Sequence, residues 1–302
     1  MYKKILVPLD GSELAEIAVP YAEGLAARLK AELILITVCP ELDPMYAFTD
    51  NPELRRAGAS QYLRRIAEEL SKENIDVRTE AKLGHCASTI IDASEQEGAD
   101  LIVIATHGRS GLARWVLGST ADKITRAATK PVLLIRAKKD QPDVRAKGIF
   151  NRILAPLDGS IAAESVLPHV EALAKEFGSE LILFRAVPRE TYVVPVGTEG
   201  AYELSQAPEE LINAQLKDSR EYLEEIKAPL SVKGFPVTAA TDIGDPGDEI
   251  IEQAERHDVG LVAMCTHGRS GIDRWVYGSV ATKVLNGGTT PLLLVRMPEG
   301  KT

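Results

Sequence analysis

The sequence predicts a doubly wound α/β fold that is built twice along the chain. Short apolar runs typical of buried strands alternate with segments whose apolar residues recur at helical spacing. Connections of helical length join successive strands, which favours a parallel sheet covered by helices on both faces. The same order of elements returns in the second half, so the 302 residues predict two domains of ordinary size.

The first half opens with a buried strand followed by an amphipathic helix. The run 5–10 is apolar up to Pro8 and the turn-forming Asp10-Gly11-Ser12. Ser12 is a suitable N-cap, and apolar residues follow it with a period of about 3.6 to residue 30. The next run, 33–38, is continuously apolar and predicts a strand buried on both faces.

The rest of the first half continues the alternation of helices and strands. The third strand alternates in polarity and is therefore expected near the sheet edge. The fourth is continuously apolar, like the second. These elements are a helix at 54–71, a strand at 75–79, a helix at 87–97, a strand at 101–105, a helix at 119–128 and a strand at 131–136.

A polar segment separates the two copies. The stretch 138–150 contains Pro142 and Gly148 and lacks apolar periodicity, which is typical of a linker. The first strand and turn then return at 153–160 with an offset of 148. We therefore assign 1–138 to the first domain, 139–149 to the linker and 150–299 to the second domain.

The second copy carries additional residues between its second strand and its next helix. The offset between copies rises from 148 to 160 before Gly244, and most of this excess lies in 189–207. We predict a long loop there. Such loops are often lids or contact surfaces, and a tolerated insertion is the equal alternative.

Composition excludes several classes of partner. The net charge of −9, from 44 acidic and 35 basic residues, gives no electrostatic footprint for nucleic acid or an acidic membrane. The three cysteines have no CxxC spacing, so neither a disulfide framework nor a zinc site is predicted. The first apolar run is too short for a signal peptide or a membrane span. We expect a cytoplasmic protein with reduced thiols.

One duplicated segment has diverged far less than the rest of the repeat. Residues 106–119 and 266–279 are identical at eleven of fourteen positions. This similarity indicates a constraint more specific than core packing. The alternative is common ancestry combined with the turn geometry that the glycines permit.

The duplicated segment lies where a ligand is expected. In open parallel sheets, ligands bind beyond the carboxyl ends of the strands, at the point where strand order reverses. The segment follows the fourth strand, and Asp10 follows the first. Gly108 and Gly111 permit close backbone approach, and Ser119 is expected to be the N-cap of a helix whose N–H groups favour an anion. Together these features predict a phosphate cradle made mostly of backbone.

The side chains of this region have competing interpretations. Asp10 and Asp158 either hold a ribose hydroxyl or a metal ion, or form the Asp-Gly-Ser turn. The arginines either add charge to the cradle or pair with surface carboxylates: Arg109, Arg114, Arg269 and Arg274. The histidines are expected to cap backbone and the tryptophans to anchor packing: His107, His267, Trp115 and Trp275.

The spacing resembles a known family signature. A small residue at 105, Gly108 and Gly118-Ser119 closely resemble the G-x2-G-x9-G-[S/T] nucleotide motif of the universal stress protein family. The Val-Pro-Leu-Asp-Gly-Ser start and the Pro-Val-Leu-Leu-Ile end extend the resemblance over 2–137 and 150–297. The chain is similar to a tandem, two-domain member of that family.

The resemblance implies a specific fold and a ligand. It implies two Rossmann-like domains of the adenine nucleotide alpha hydrolase-like type, each a five-stranded parallel sheet in the order 3-2-1-4-5 with helices on both faces. The implied ligand is ATP or a related adenine nucleotide, with Mg²⁺ bound through the phosphates. The implied nucleotide-binding residues are Pro8, Asp10, Val38, Ala105, Gly108, Arg109, Gly118, Ser119 and Thr120, and in the second copy Pro156, Asp158, Ala186, Cys265, Gly268, Arg269, Gly278, Ser279 and Val280.

Both copies depart from the family pattern at one position. The first glycine of the motif is replaced by Ala105 in one copy and by Cys265 in the other. We expect the pockets to survive if the backbone φ is negative there. A required positive φ would damage both, and the second pocket more.

The expected function is therefore that of a cytoplasmic universal stress protein that binds ATP as a regulatory signal. The sequence has no P-loop lysine motif, no nucleophile elbow and no His/Cys metal cluster, so we assign no catalytic residues and expect at most weak ATPase activity. The alternatives are a nucleotide-free interaction scaffold and a slow ATP hydrolase. The resemblance also implies a homodimer and an internal pseudo-dimer of the two domains, formed by pairing of the last strands at 133–135 and 292–295.

Overall fold

A computed structural model describes residues 1–40, 51–106, 117–136, 149–189, 191–195, 202–266 and 277–297. The strands of the first half are β1 (Lys4–Pro8), β2 (Glu32–Cys39), β3 (Val77–Leu83), β4 (Leu101–Ala105) and β5 (Val132–Ile135). Its helices are α1 (Glu13–Glu16), α2 (Ala18–Leu29), α3 (Pro52–Ser71), α4 (Cys86–Gln96) and α5 (Ser119–Ala127).

The second half repeats this order and adds a hairpin. Its strands are β6 (Arg152–Pro156), β7 (Glu180–Val187), β8 (Thr191–Pro195), β9 (Tyr202–Gln206), β10 (Val237–Ile243), β11 (Leu261–Cys265) and β12 (Leu292–Val295). Its helices are α6 (Ile161–Glu164), α7 (Leu167–Phe177), α8 (Glu209–Val232), α9 (Pro246–Arg256) and α10 (Ser279–Gly287).

The predicted fold class is confirmed. In the first half β3, β2, β1, β4 and β5 lie side by side in that order, which is 3-2-1-4-5, and all of them are parallel. The second half has the same order, β10, β7, β6, β11 and β12. Apolar strand residues alternate between two cores, one under α1–α3 and α6–α8, the other under α4, α5, α9 and α10.

The two sheets join into one ten-stranded sheet. β5 pairs with β12 in antiparallel orientation, with Leu133 opposite Leu293. Both leucines are buried at 2% and 1% exposure. Because each strand would otherwise present an apolar edge, the pairing covers both edges at once.

Two predicted elements differ from the structure. The helix predicted at 13–30 is two helices, since the chain turns at Ile17 between α1 and α2. The loop predicted at 189–207 contains the antiparallel hairpin of β8 and β9. Ile149 and Phe150, at the end of the predicted linker, are buried. The rest of the predicted linker lies outside the described residues.

Candidate functional site

The strands that flank the predicted site separate at their carboxyl ends. β1 pairs with β4 only at Ile5 and Leu6, although β1 continues to Pro8 and β4 to Ala105. β1 and β4 are also the neighbours at which strand order reverses. A crevice therefore opens beside Pro8, and the second half repeats it beside Pro156.

Each aspartate of the crevice forms a tight turn. Ser12 donates to Asp10 Oδ1 from its backbone nitrogen at 3.0 Å and from its hydroxyl at 2.6 Å. The Ser12 hydroxyl oxygen also accepts from the Ala15 backbone nitrogen and caps α1, as predicted. Gly11 between them has φ 82°, which favours glycine. The turn interpretation is therefore correct, and it fixes the carboxylate at the mouth of the crevice.

The second half builds the same turn. Ser160 donates to Asp158 Oδ1 at 2.9 Å from nitrogen and 2.5 Å from its hydroxyl, and Gly159 has φ 85°. Both aspartates are only half-buried, so each remains partly accessible to a ligand.

The positions implied to lie near the base are at the ends of the neighbouring strands. Val38 and Ala186 are half-buried residues near the ends of β2 and β7. The register places Pro8 opposite Ile36, so Val38 and Asp10 each follow this last pair by two residues. The Cys86 thiol lies 3.8 Å from the Val38 carbonyl oxygen, so the start of α4 contacts this strand end.

The replaced glycine positions have ordinary strand geometry. Ala105 and Cys265 are the last residues of β4 and β11, and both are buried. Neither is among the described non-glycine residues with positive φ. The condition under which the pockets were expected to survive is therefore met at both positions.

In each half, one hydrogen bond joins the two ends of the duplicated segment. The Gly118 nitrogen donates to the Thr106 carbonyl at 2.8 Å, and the Gly278 nitrogen donates to the Thr266 carbonyl at 3.0 Å. This bond brings the start of α5 back to the carboxyl end of β4. The residues between its partners lie outside the described part of the chain; the site and motif residues concerned are Gly108, Arg109, Gly268, Arg269, His107, His267, Arg114, Arg274, Trp115 and Trp275.

Ser119 is not the N-cap that the sequence suggested. The N-cap is Gly118, with φ −56° and ψ 142°, and Ser119 is the first helical residue. Gly278 and Ser279 take the same places at α10. Since glycine has no side chain, neither N-cap residue bonds the first-turn N–H groups of its helix through a side chain. Ser119 and Ser279 are exposed beside them, and Thr120 and Val280 are half-exposed.

Sequence reasoning missed a group of polar side chains near each aspartate turn. Tyr222 donates from its hydroxyl to Glu164 Oε1 at 3.0 Å, and Arg185 lies over the Tyr222 ring. Tyr62 and Glu16 occupy the corresponding places in the first half. Burial is the main cause that raises the pKa of both tyrosines. The recurrence of the Tyr and Glu positions was visible in the sequence, although their proximity to Asp10 and Asp158 was not.

The described residues outside these crevices offer less chemistry. Within the described ranges, no three His, Cys, Asp or Glu side chains are grouped so that they could hold a metal ion. A cavity of about 640 Å³ lies at the opposite, amino end of the second sheet, where Lys233 pairs with Glu171 at 2.6 Å. It contains no predicted site residue. None of the described helices has both the length and the apolar character that crossing a membrane requires.

Comparison with known proteins gives the same assignment for both halves. The model of the universal stress protein family matches residues 1–136 and 150–296. A universal stress protein of Mycolicibacterium smegmatis is 26% identical over 301 residues, which cover 97% of this chain and 96% of that protein. Universal stress protein MJ0531 of Methanocaldococcus jannaschii is 30% identical over 147 residues, or 47% of this chain and 86% of that protein.

A solved structure supports the fold over the full length. The crystal structure of a universal stress protein from Archaeoglobus fulgidus has a TM-score of 0.75 and 18% identity, and the alignment covers 98% of this chain and 99% of that one. At this identity the likeness concerns the fold alone. Because the family model matches both halves of the chain, the protein belongs to the universal stress protein family, as a tandem two-domain member.

Proposed function

We propose that each half binds ATP or a related adenine nucleotide in its crevice and that occupancy acts as a regulatory signal in a stress response. The observation that carries this proposal is the duplicated hydrogen bond between Thr106 and Gly118, and between Thr266 and Gly278. It brings a helix N-terminus whose N-cap is glycine to the strand end that lies beside the aspartate turn. A ligand that binds one conformation better than another then shifts the population toward it.

The helix start suits a phosphate group. The N-caps of α5 and α10 are glycines, which offer no side chain to the first N–H groups, and the helix dipole favours negative charge there. The exposed hydroxyls of Ser119 and Ser279 add a donor on the same turn. Mg²⁺ would be held chiefly by the phosphates, in keeping with its preference for substrate oxygens and water over all-protein cages.

The other end of each crevice suits a nucleoside. The carboxylates of Asp10 and Asp158 are oriented by Ser12 and Ser160 and would accept hydrogen bonds from ribose hydroxyls. Backbone at Val38 and Ala186 would contact the adenine. Both roles are carried over from the family resemblance, and the described geometry is compatible with them.

The internal pseudo-dimer is part of the same proposal. The antiparallel pairing of β5 with β12 supports it, because this is the contact expected between two separate domains. We further propose that the protein acts in the cytoplasm and that two chains associate as a homodimer. We also propose domain limits at 138 and 150; the family model matches residues 1–136 and 150–296.

A nucleotide-free interaction scaffold is the second candidate. The observation that favours it is the presence of a β-carbon at Ala105 and Cys265, where the family motif has glycine. Mass spectrometry of the supernatant after heat denaturation distinguishes the two functions. Co-purified adenylate supports nucleotide binding, whereas its absence together with no Mg-ATP uptake in calorimetry supports the scaffold.

Slow hydrolysis of ATP is a third possibility that needs its own assay. A hydrolase would release phosphate faster than the combined variant, in which Gly118→Ala/Ser119→Ala changes the first pocket and Gly278→Ala/Ser279→Ala changes the second. Equal rates in the wild type and the combined variant would exclude an enzymatic role for these sites.

The decisive binding experiment uses aspartate at the two helix caps. Gly118→Asp and Gly278→Asp place a carboxylate at the first-turn amides, where it caps the helix and repels a phosphate. Calorimetry with Mg-ATP should show two sites in the wild type, one in each single variant and none in the double variant. Unchanged binding in the double variant would contradict the proposed site.

A further inference from the structure

In each half a guanidinium lies over the equivalent tyrosine, but the two arginines belong to different structural elements. In the first half, the guanidinium carbon of Arg65, which belongs to α3 itself, lies 5.8 Å from the Tyr62 ring centroid. In the second half, the guanidinium carbon of Arg185, which belongs to β7, lies 5.1 Å from the Tyr222 ring centroid. The internal repeat thus supplies its own comparison between two pockets.

A pair of exchanges in the sequence produces this difference. The first-half residue that corresponds to Arg185 is Thr37, and the second-half residue that corresponds to Arg65 is Glu225. Thr37 is buried, and its hydroxyl donates to the Leu9 carbonyl at 2.9 Å. The Arg65 side chain is 67% exposed. The first half therefore carries this cation on the solvent side of a helix, whereas the second half carries it on the sheet.

The sheet position brings Arg185 next to the aspartate turn. The Leu157 nitrogen donates to the Phe184 carbonyl at 2.8 Å, so Arg185 lies in the strand alongside the end of β6. Asp158 follows Leu157 directly. Burial first and then the hydrogen bond to Glu164 raise the pKa of Tyr222; the charge of Asp158 adds to the rise and that of Arg185 opposes it, so both charges act on one hydroxyl.

A ribose that carries a phosphate on a ring hydroxyl would meet different groups in the two pockets. A carboxylate alone accepts ribose hydroxyls but repels a phosphate attached to the ribose. A guanidinium held in place by an aromatic ring binds phosphate through parallel hydrogen bonds. In the first pocket the hydroxyl of Thr37 is already bonded within the fold, and Arg65 approaches the ring from the helix exterior.

We propose that Arg185 makes the second pocket selective for adenylates in which a ring hydroxyl of the ribose is phosphorylated, whereas the first pocket favours a ribose whose ring hydroxyls are unmodified. This inference rests on the adenylate binding proposed above. Arg185 is a specificity-determining residue here, because it selects between ligands that both pockets would otherwise hold in the same way.

Calorimetry with two probes of equal phosphate number tests the inference. The probes are ADP and adenosine 3′,5′-bisphosphate, and Gly118→Asp or Gly278→Asp restricts binding to one pocket at a time. The ratio of bisphosphate to ADP affinity should be at least about tenfold higher in the second pocket, as expected for a charge-assisted bidentate contact. Arg185→Thr should reduce that ratio to the first-pocket value, and Arg185→Lys should give an intermediate ratio.

A compensated variant controls for folding. Arg185→Thr/Glu225→Arg reproduces the arrangement of Thr37 and Arg65, so it keeps a cation beside Tyr222 but removes it from the sheet. It should retain ADP binding and lose the preference for bisphosphate. Equal ratios in the two wild-type pockets, or an unchanged ratio in the compensated variant, would overturn the inference while ADP binding stands. Absence of ADP binding in both pockets would instead refute the proposed function and this inference with it.

Discussion

The Tyr2 hydroxyl oxygen lies 2.6 Å from Nδ1 of His169, and this hydrogen bond joins the segment that precedes β1 in one half to α7 of the other. Tyr2 is 1% exposed and His169 is half-buried. The corresponding pair is Phe150 with Tyr21, whose ring centroids are 6.4 Å apart. The contact between the halves therefore has twofold pseudo-symmetry in position, but only one of its two sites is polar.

The first prediction concerns the pH dependence of this contact. Burial lowers the pKa of His169, so the unfolded chain binds its proton more readily than the folded chain. Stability should therefore fall as pH drops below the unfolded value of about 6.5 and level off below the folded pKa. Urea unfolding between pH 7.5 and 5 measures this loss.

Two variants isolate the contribution of His169 to this loss of stability. Tyr2→Phe removes one hydrogen bond and should cost about 1 kcal/mol near neutral pH. Tyr2→Phe/His169→Tyr copies the pair of Phe150 and Tyr21 and should flatten the acid loss. The same acid slope in the double variant as in the wild type would show that other groups cause it.

The second prediction concerns the opposite face of the joined sheet. The guanidinium carbon of Arg126 on α5 lies 4.7 Å from the ring centroid of Tyr277, which precedes α10. Tyr277 is 6% exposed, and burial is the main cause that raises its pKa to about 12. Arg126→Asn and Tyr277→Leu each introduce the residue that the other half has at that place, Asn286 and Leu117.

A double-mutant cycle measures this coupling. The expected interaction energy is about 0.5–2 kcal/mol, as for a partly desolvated cation–π pair. Because Arg126 also pairs with Asp122 at 2.8 Å, Arg126→Asn alone should cost more than the coupling. If the two single variants changed the free energy of unfolding in a strictly additive way, the contact would contribute nothing to the joining of the halves.

The third prediction concerns a glycine that the packing requires. A β-carbon at Gly260 would lie 3.0 Å from the backbone nitrogen and Cα of Phe150, and backbone cannot move aside cheaply. Gly260→Ala should therefore destabilise the protein by about 1–3 kcal/mol. Asp100 occupies this place in the first half, where its carboxylate accepts from the backbone nitrogens of Lys3 and Lys4.

The matched change is Asp100→Gly. It removes two hydrogen bonds at an exposed site and should cost about 1–2 kcal/mol, with no steric component. Thermal unfolding of both variants gives the comparison. Full stability of Gly260→Ala would show that the segment around Phe150 yields more readily than the geometry indicates.

The fourth prediction separates binding from stability at a helix cap. A β-carbon at Gly278 would lie 3.6 Å from the Thr266 carbonyl, an ordinary contact, and φ is −57°. Gly278→Asp should therefore change the free energy of unfolding by less than about 0.5 kcal/mol in the absence of ligand. Loss of Mg-ATP binding without loss of stability would place the phosphate at this cap, whereas unfolding of the variant would contradict the cap geometry.

Local patterns predicted most elements because they reflect local physics. The apolar run 101–105 matches β4 residue for residue, and the Ser12 cap was correctly placed. The turn at Ile17 and the hairpin of β8 and β9 were missed, since neither is marked by a clear change of periodicity. Ser119 was misplaced by one position because serine is the commoner cap, although Gly118 fills that role here.

The sequence by itself determined the twofold α/β architecture, the family and the strand ends at which a ligand is expected. Period, turn chemistry and the repeat all act over short stretches of chain. Only the tertiary structure decided which side chains meet around Asp158, that Tyr2 bonds to His169 and that Arg185 approaches Tyr222 from the sheet. These contacts join residues far apart in the chain, and they depend on strand register and helix packing, which a local pattern does not specify.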